Sequence, residues 1–217
     1  MAFSTDLLQE LSPNHLLKHP FYQAWVKGEL PLESLGSYAR QYFQHVKQFP
    51  RYLSATHSNC DDISQRQILL ENLIDEERGD RNHPELWLCF AEGIGETRES
   101  VINEAPNAAT QDLINTFFAF SRSSYEEGLG ALFAYENQIP EVAASKIEGL
   151  KKHYNISDER TLDFFNVHLE ADKWHSQVTA DLIDGLDDLQ KERARRAAHV
   201  IAEKMWSLLS GVYSHVC

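Results

Sequence analysis

The chain has 217 residues, 42% of them hydrophobic and 11% aromatic, enough for a sizeable core and too apolar for a disordered polymer. Its formal net charge of −13 repels phosphate backbones and acidic bilayers, which argues against nucleic-acid and membrane partners. No apolar run is long enough to span a bilayer, and MAFSTDLLQE lacks a basic signal-peptide start, so a soluble, cytoplasmic protein is expected. The three cysteines, Cys60, Cys89 and Cys217, are widely spaced and offer no disulfide framework.

Helical spacing runs through nearly every segment, and the breakers divide it. A first helix is predicted from about Thr5 to Gly28, with a break near Ser12-Pro13-Asn14. A second runs from Pro31 toward His57 and kinks at Pro50, where proline removes a helix hydrogen bond. A third covers Ile63 to Glu77 and stops at Gly79. His83-Pro84 opens a fourth, with proline in the favoured first turn. A fifth spans Thr110 to Glu136, and Pro140 restarts a sixth that ends near His153. Ser157 or Asp158 caps a seventh reaching Gly185. The last covers Leu189 to Tyr213. No repeat, low-complexity tract or linker interrupts the series. The expectation is a compact all-α bundle of about seven to eight helices, one domain over residues 1–217.

Carboxylates and histidines that continue an apolar stripe carry the functional information. The seventh predicted helix has the stripe Phe165, His168, Asp172, His175, Thr179, Leu182. His168, Asp172 and His175 fall at i, i+4 and i+7 and share one face. An ionised aspartate on an inward face needs a partner or a cation, and two imidazoles with a carboxylate suit non-haem iron. A core histidine pair with an aspartate partner is the alternative.

Two other helices repeat the pattern. Leu129, Leu132 and Phe133 lead into Glu136, which by itself also reads as a solvated helix end. Leu69, Leu70, Leu73 and Ile74 lead into Glu76 and Glu77, between which periodicity does not choose. Four loop residues later His83 opens the next helix. Together these helices offer three carboxylates and three imidazoles, a set whose charge nearly balances two divalent cations and exceeds the needs of one zinc ion. The Glu-x-x-His pairs of ferritin-like bundles are missing.

At these residues the sequence resembles the CADD-like group of haem-oxygenase-like di-metal oxidases, in the wider superfamily of TenA and PqqC. The resemblance covers nearly the whole chain and rests on HPFYQAW, EERGDRNHPELW, AYENQIP and HLEADKWH. It implies a haem-oxygenase-like fold, a homodimer, and metal ligation by Glu76, His83, Glu136, His168, Asp172 and His175. It implies two metal ions per chain, iron or an iron–manganese pair, with O₂ and an external reductant as co-substrates. The implied activity is para-aminobenzoate synthesis, feeding folate, by a protein that consumes itself. Tyr22 matches the sacrificed tyrosine and Lys146 the amino donor, while Tyr38, Trp87 and Tyr135 match aromatic positions lining the site. Read without the resemblance, Tyr22, Trp87 and Tyr135 are ordinary core aromatics and Lys146 a surface lysine beside Lys151 and Lys152.

Rival functions leave residues unexplained. A TenA-type thiaminase needs a nucleophilic cysteine on the helix that here reads GLGALFAYE, which has none. A PqqC-like oxidase works without metal and does not use the ligand set. A di-metal oxidase with an external substrate shares the ligands, so Tyr22 and Lys146 discriminate. Death-domain binding is not expected as the primary role, given the acidic charge and the inward-facing site.

Overall fold

The computed structural model describes residues 2–213, apart from the side chains of residues 170–173. Among these it contains twelve α-helices: α1 (Phe3–Leu11), α2 (Pro20–Lys27), α3 (Leu32–Val46), α4 (Phe49–Ser58), α5 (Ile63–Glu77), α6 (His83–Gly93), α7 (Arg98–Asn103), α8 (Ala108–Ser123), α9 (Tyr125–Glu136), α10 (Ile139–His153), α11 (Glu159–Asp184) and α12 (Asp188–Tyr213). The all-α architecture follows the sequence reading. The count exceeds the expected seven to eight, because three predicted helices are each split and the short α7 carries no strong stripe.

Each split has a local cause. Ser12-Pro13-Asn14 forms a 3₁₀ turn, and His15 and His19 then stand in extended backbone. Their Nδ1 atoms accept from the amides of Leu17 and Phe21, so His19 caps α2 with Pro20 in its first turn. Pro50 lies in the first turn of α4 rather than within a kinked helix. Ser124 is extended, and its hydroxyl accepts from the amide of Glu127 to start α9 afresh.

The bundle is organised around α9, buried from Glu126 to Glu136. A helix buried on all sides packs against neighbours all round. It lies along α12, α8, α11 and α4, while α11 also packs on α6 and α10. The glycines of α9 allow this closeness: a Cβ at Gly130 would strike the backbone carbonyl of Ala194 on α12, and one at Gly128 would strike the Thr56 side chain on α4. At the start of α9, Glu126 pairs with Arg193 at 2.9 Å and Glu127 with Arg196, which favours acidic residues at a helix N-terminus twice over. Among the described residues no helix is long and apolar enough to cross a membrane.

Candidate metal and tyrosine–lysine site

The end of α5 and the start of α6 are brought together by a tight turn. Gly79 adopts a left-handed φ of 75°, which glycine accepts without strain. Asn82 caps α6 by accepting from the amide of Glu85 at 3.0 Å. Glu76 and His83, each 4% exposed, thereby meet with 2.8 Å between Oε1 and Nδ1. Glu77 is exposed. Burial therefore favours Glu76, the glutamate the resemblance implied where periodicity left the choice open.

His168 of α11 completes this cluster. One ligand atom from each of Glu76, His83 and His168 lies within 4.8 Å of the other two, and all three residues are buried. The rings of His83 and His168 are 4.3 Å apart between centroids. Nδ1 of His168 bonds the carbonyl of Phe164, one turn earlier, at 2.5 Å, which directs Nε2 into the cluster. Metal-bound histidines are oriented by such bonds. Burial, then the neighbouring His83, holds the His168 imidazole well below its ordinary range. It is neutral at pH 7, the form that binds a metal.

Two further expected residues are buried but are not among the three whose ligand atoms meet. Glu136, 2% exposed, is a buried carboxylate rather than a solvated helix end. Its Oε1 accepts from Asn72 Nδ2 at 2.6 Å and its Oε2 from Thr179 Oγ1 at 2.7 Å. His175 is buried, and its Nε2 lies 3.1 Å from Asp75 Oδ2. The Asp172 side chain lies outside the described residues.

The aromatic expectations converge on a second group. Lys146 is 3% exposed, not a surface lysine. Its Nζ donates to the Tyr38 hydroxyl at 2.8 Å, and the Tyr38 and Tyr22 hydroxyls are 3.1 Å apart. The amine stands 5.1 to 5.6 Å from the ring centroids of Tyr22, Tyr38, Tyr42, Trp87 and Phe165. Such rings attract a cation weakly, and no carboxylate pairs with Lys146 among the described residues. Burial consequently lowers its amine to about 7. Burial pushes the Tyr22 and Tyr38 phenols well up, so both stay protonated. Tyr135 bonds Tyr42 through the hydroxyls at 2.9 Å, and Trp87 donates to the Ala39 carbonyl at 2.8 Å. Phe164 links the two groups: its ring centroid lies 4.8 Å from Trp87 and 4.2 Å from His168.

The sequence reading passed over Asn72, Asp75 and Tyr42 and gave Thr179 no role. Asn72 had a usable signal. The buried positions of α5 are Leu69, Asn72 and Glu76, whereas Leu70 is exposed. An asparagine one turn before an inward glutamate is the same kind of anomaly as the glutamate.

A helical bundle with buried carboxylates and histidines meeting between its helices suits a metal-dependent redox protein. The fold agrees: a TenA homologue from P. horikoshii superposes with a TM-score of 0.81 at 18% identity, covering 99% of both chains. A CADD-like protein from Nostoc punctiforme does so with a TM-score of 0.76 at 19% identity, covering 98% of both. Residues 37–208 match the haem-oxygenase-like family described as iron-containing redox enzymes, and the chain belongs to that family. A 4-aminobenzoate synthase of Nitrosomonas europaea is 39% identical, over 100% of this chain and 93% of its own. One from Chlamydia trachomatis is 37% identical, over 96% and 91% respectively. The chain is thus an oxidoreductase that uses a metal cofactor.

Proposed function

We propose that this protein makes para-aminobenzoate, taking the ring from Tyr22 and the amino nitrogen from Lys146, with two metal ions, iron or iron and manganese, at Glu76, His83, Glu136, His168, Asp172 and His175. The observation that carries this reading is the buried Lys146 amine, one hydroxyl away from the phenol of Tyr22. The curated relatives named 4-aminobenzoate synthase support the product.

The metals, when bound, supply the reduction of O₂ and the oxidising power that a phenol can satisfy. The residues supply the rest. Tyrosine already carries a six-membered ring with substituents at both para positions. Conversion breaks its Cα–Cβ bond, oxidises Cβ to a carboxyl, and replaces the phenolic C–O bond with C–N. Lys146 gives up the nitrogen as its Cε–Nζ bond breaks and Cε is oxidised to an aldehyde. The phenolic oxygen leaves as water and Cα takes a hydrogen in place of Cβ, with O₂ the oxidant and an external reductant supplying the electrons that complete its reduction to water. An amine attacks carbon only when neutral, and the lowered pKa of Lys146 provides that form near pH 7. Tyr38, bonded to both, is positioned to carry the proton between amine and phenol. Trp87, Tyr135 and Tyr42 close the cage against water.

The test is anaerobic loading with Fe(II), then addition of reductant and O₂, with no small-molecule precursor. Para-aminobenzoate should appear at no more than one per chain and carry label from ring-labelled tyrosine. The spent protein should show altered masses at the peptides holding Tyr22 and Lys146. Tyr22→Phe should end production. Normal yield from Tyr22→Phe, or many products per chain, would establish an external substrate instead.

A further inference from the structure

We infer that Asn72 and Thr179 are positioning residues that clamp the Glu136 carboxylate at the metal centre, one side chain on each oxygen. The inference rests on the metal reading above and adds the two side chains that fix the geometry of one ligand.

The clamp is built from three helices. Asn72 lies one turn before Glu76 on α5, and Thr179 one turn after His175 on α11. Each therefore sits on the same helical face as a candidate ligand. Glu136 ends α9 between them, and Ser176 of α11 caps its main-chain carbonyl at 3.1 Å. Asn72 Nδ2 donates to Oε1 at 2.6 Å and Thr179 Oγ1 to Oε2 at 2.7 Å, with all three residues at 2% exposure. Neither bond competes with a cation. A carboxylate offers roughly four lone-pair sites, and these two donors occupy only one on each oxygen. What the two donors remove is rotation of the carboxylate plane.

A second observation points the same way. Asn72 Oδ1 is buried without a donor among the described residues. A buried amide oxygen in that position is disfavoured unless something in the site completes it. On the metal reading, a cation or water held by one is the partner the site would supply. A packing role alone would favour leucine at this depth in α5. Asparagine is the residue that both donates to Glu136 and keeps a buried acceptor beside that bond.

The experiment is anaerobic Fe(II) titration of the full chain, followed by the near-infrared circular dichroism of the Fe(II) ligand-field bands, with far-ultraviolet circular dichroism to check folding. Wild type, Asn72→Leu, Thr179→Val and Thr179→Ser are compared. Thr179→Val keeps the side-chain shape and removes only the hydroxyl. Outer-shell partners of metal ligands typically contribute about ten- to hundredfold in affinity, so Asn72→Leu and Thr179→Val should weaken Fe(II) binding by that factor and shift the bands. Thr179→Ser should restore both. If Asn72→Leu fails to fold, Thr179→Val carries the test on the other oxygen. Folded variants with wild-type affinity and unchanged bands would overturn the clamp. Wild-type protein that takes up no Fe(II) would overturn the metal reading, and the clamp's purpose with it.

Discussion

The two halves of the site treat buried polarity in opposite ways. In the histidine–carboxylate half, the polar groups of the described ligands are matched: Glu76 to His83, His168 to a backbone carbonyl, His175 to Asp75, and Glu136 to Asn72 and Thr179. In the tyrosine–lysine half, an amine lies among five rings with one hydroxyl for a partner. The first arrangement fixes ligand directions while leaving lone pairs to spare. Among the described residues the second offers no counter-charge, and burial there lowers the lysine to about 7, so that a large share of it is neutral near pH 7. One half is built to hold cations, the other to deny one.

The largest effect should come from the first half. His168→Ala removes an imidazole of the cluster, and on the di-metal reading proposed above bound iron should fall from two equivalents to one or fewer, with product formation lost. The helical circular dichroism should persist, because the eleven other helices keep their packing. Elemental analysis beside far-ultraviolet spectra decides the matter, and an unfolded variant that had bound iron normally before unfolding would return these residues to a structural role.

Lys146→Met probes the other half with a stability signature. The folded amine titrates at about 7 and the unfolded one near the ordinary lysine value. Between those values the unfolded chain binds the extra proton, so stability rises with pH across that window and the penalty is complete below it. This one group should contribute a rise of roughly 1.4 kcal/mol per pH unit. Urea unfolding at pH 7 and pH 9 should show wild type gaining about 2 to 3 kcal/mol relative to Lys146→Met. Product should be absent from the variant, while in wild type its yield per minute should climb with pH through about 7. Parallel stability curves would mean that the amine is not held neutral by the fold.

The smallest effect belongs to the rim. Arg81, in the turn between Glu76 and His83, makes a two-pronged contact with Asp163 of α11 at 2.8 Å, yet it is 69% exposed. Exposed pairs contribute about 0 to 1 kcal/mol. Arg81→Ala should shift thermal unfolding by no more than that allows and leave iron affinity unchanged. A marked loss of iron would show that the turn, rather than helix packing, holds Glu76 to His83.

What could be read from the chain depended on how local each feature is. The helical class, a cap at Ser157 or Asp158 and the shared inward face of His168, His175 and Thr179 come from periodicity and capping signals within one segment. The class and the face stand as expected, and Asp158 is the cap the structure uses. Glu136 needed more, since a glutamate after an apolar stripe looks the same whether buried or frayed. The break at Ser12-Pro13-Asn14 was legible, but its extension to His19 and the split at Ser124 were harder still. A histidine or serine becomes a cap only when its extended backbone and its acceptor coincide, and spacing does not encode that.

The sequence by itself therefore determined the all-helical class, the stripes and the residue types that can hold a metal, because a 3.6-residue period acts over a single helix. Between Glu76 and Glu77 periodicity did not choose; the family resemblance picked Glu76, and the tertiary structure buries it and leaves Glu77 exposed. The tertiary structure also decided that Lys146 is buried while Lys151 and Lys152 are exposed, and that Asn72 and Thr179 meet on Glu136. These are convergences of residues far apart in the chain, brought together by the packing of α5, α9, α10 and α11. Only that packing removes the water that would otherwise keep a lysine charged and a carboxylate free to turn.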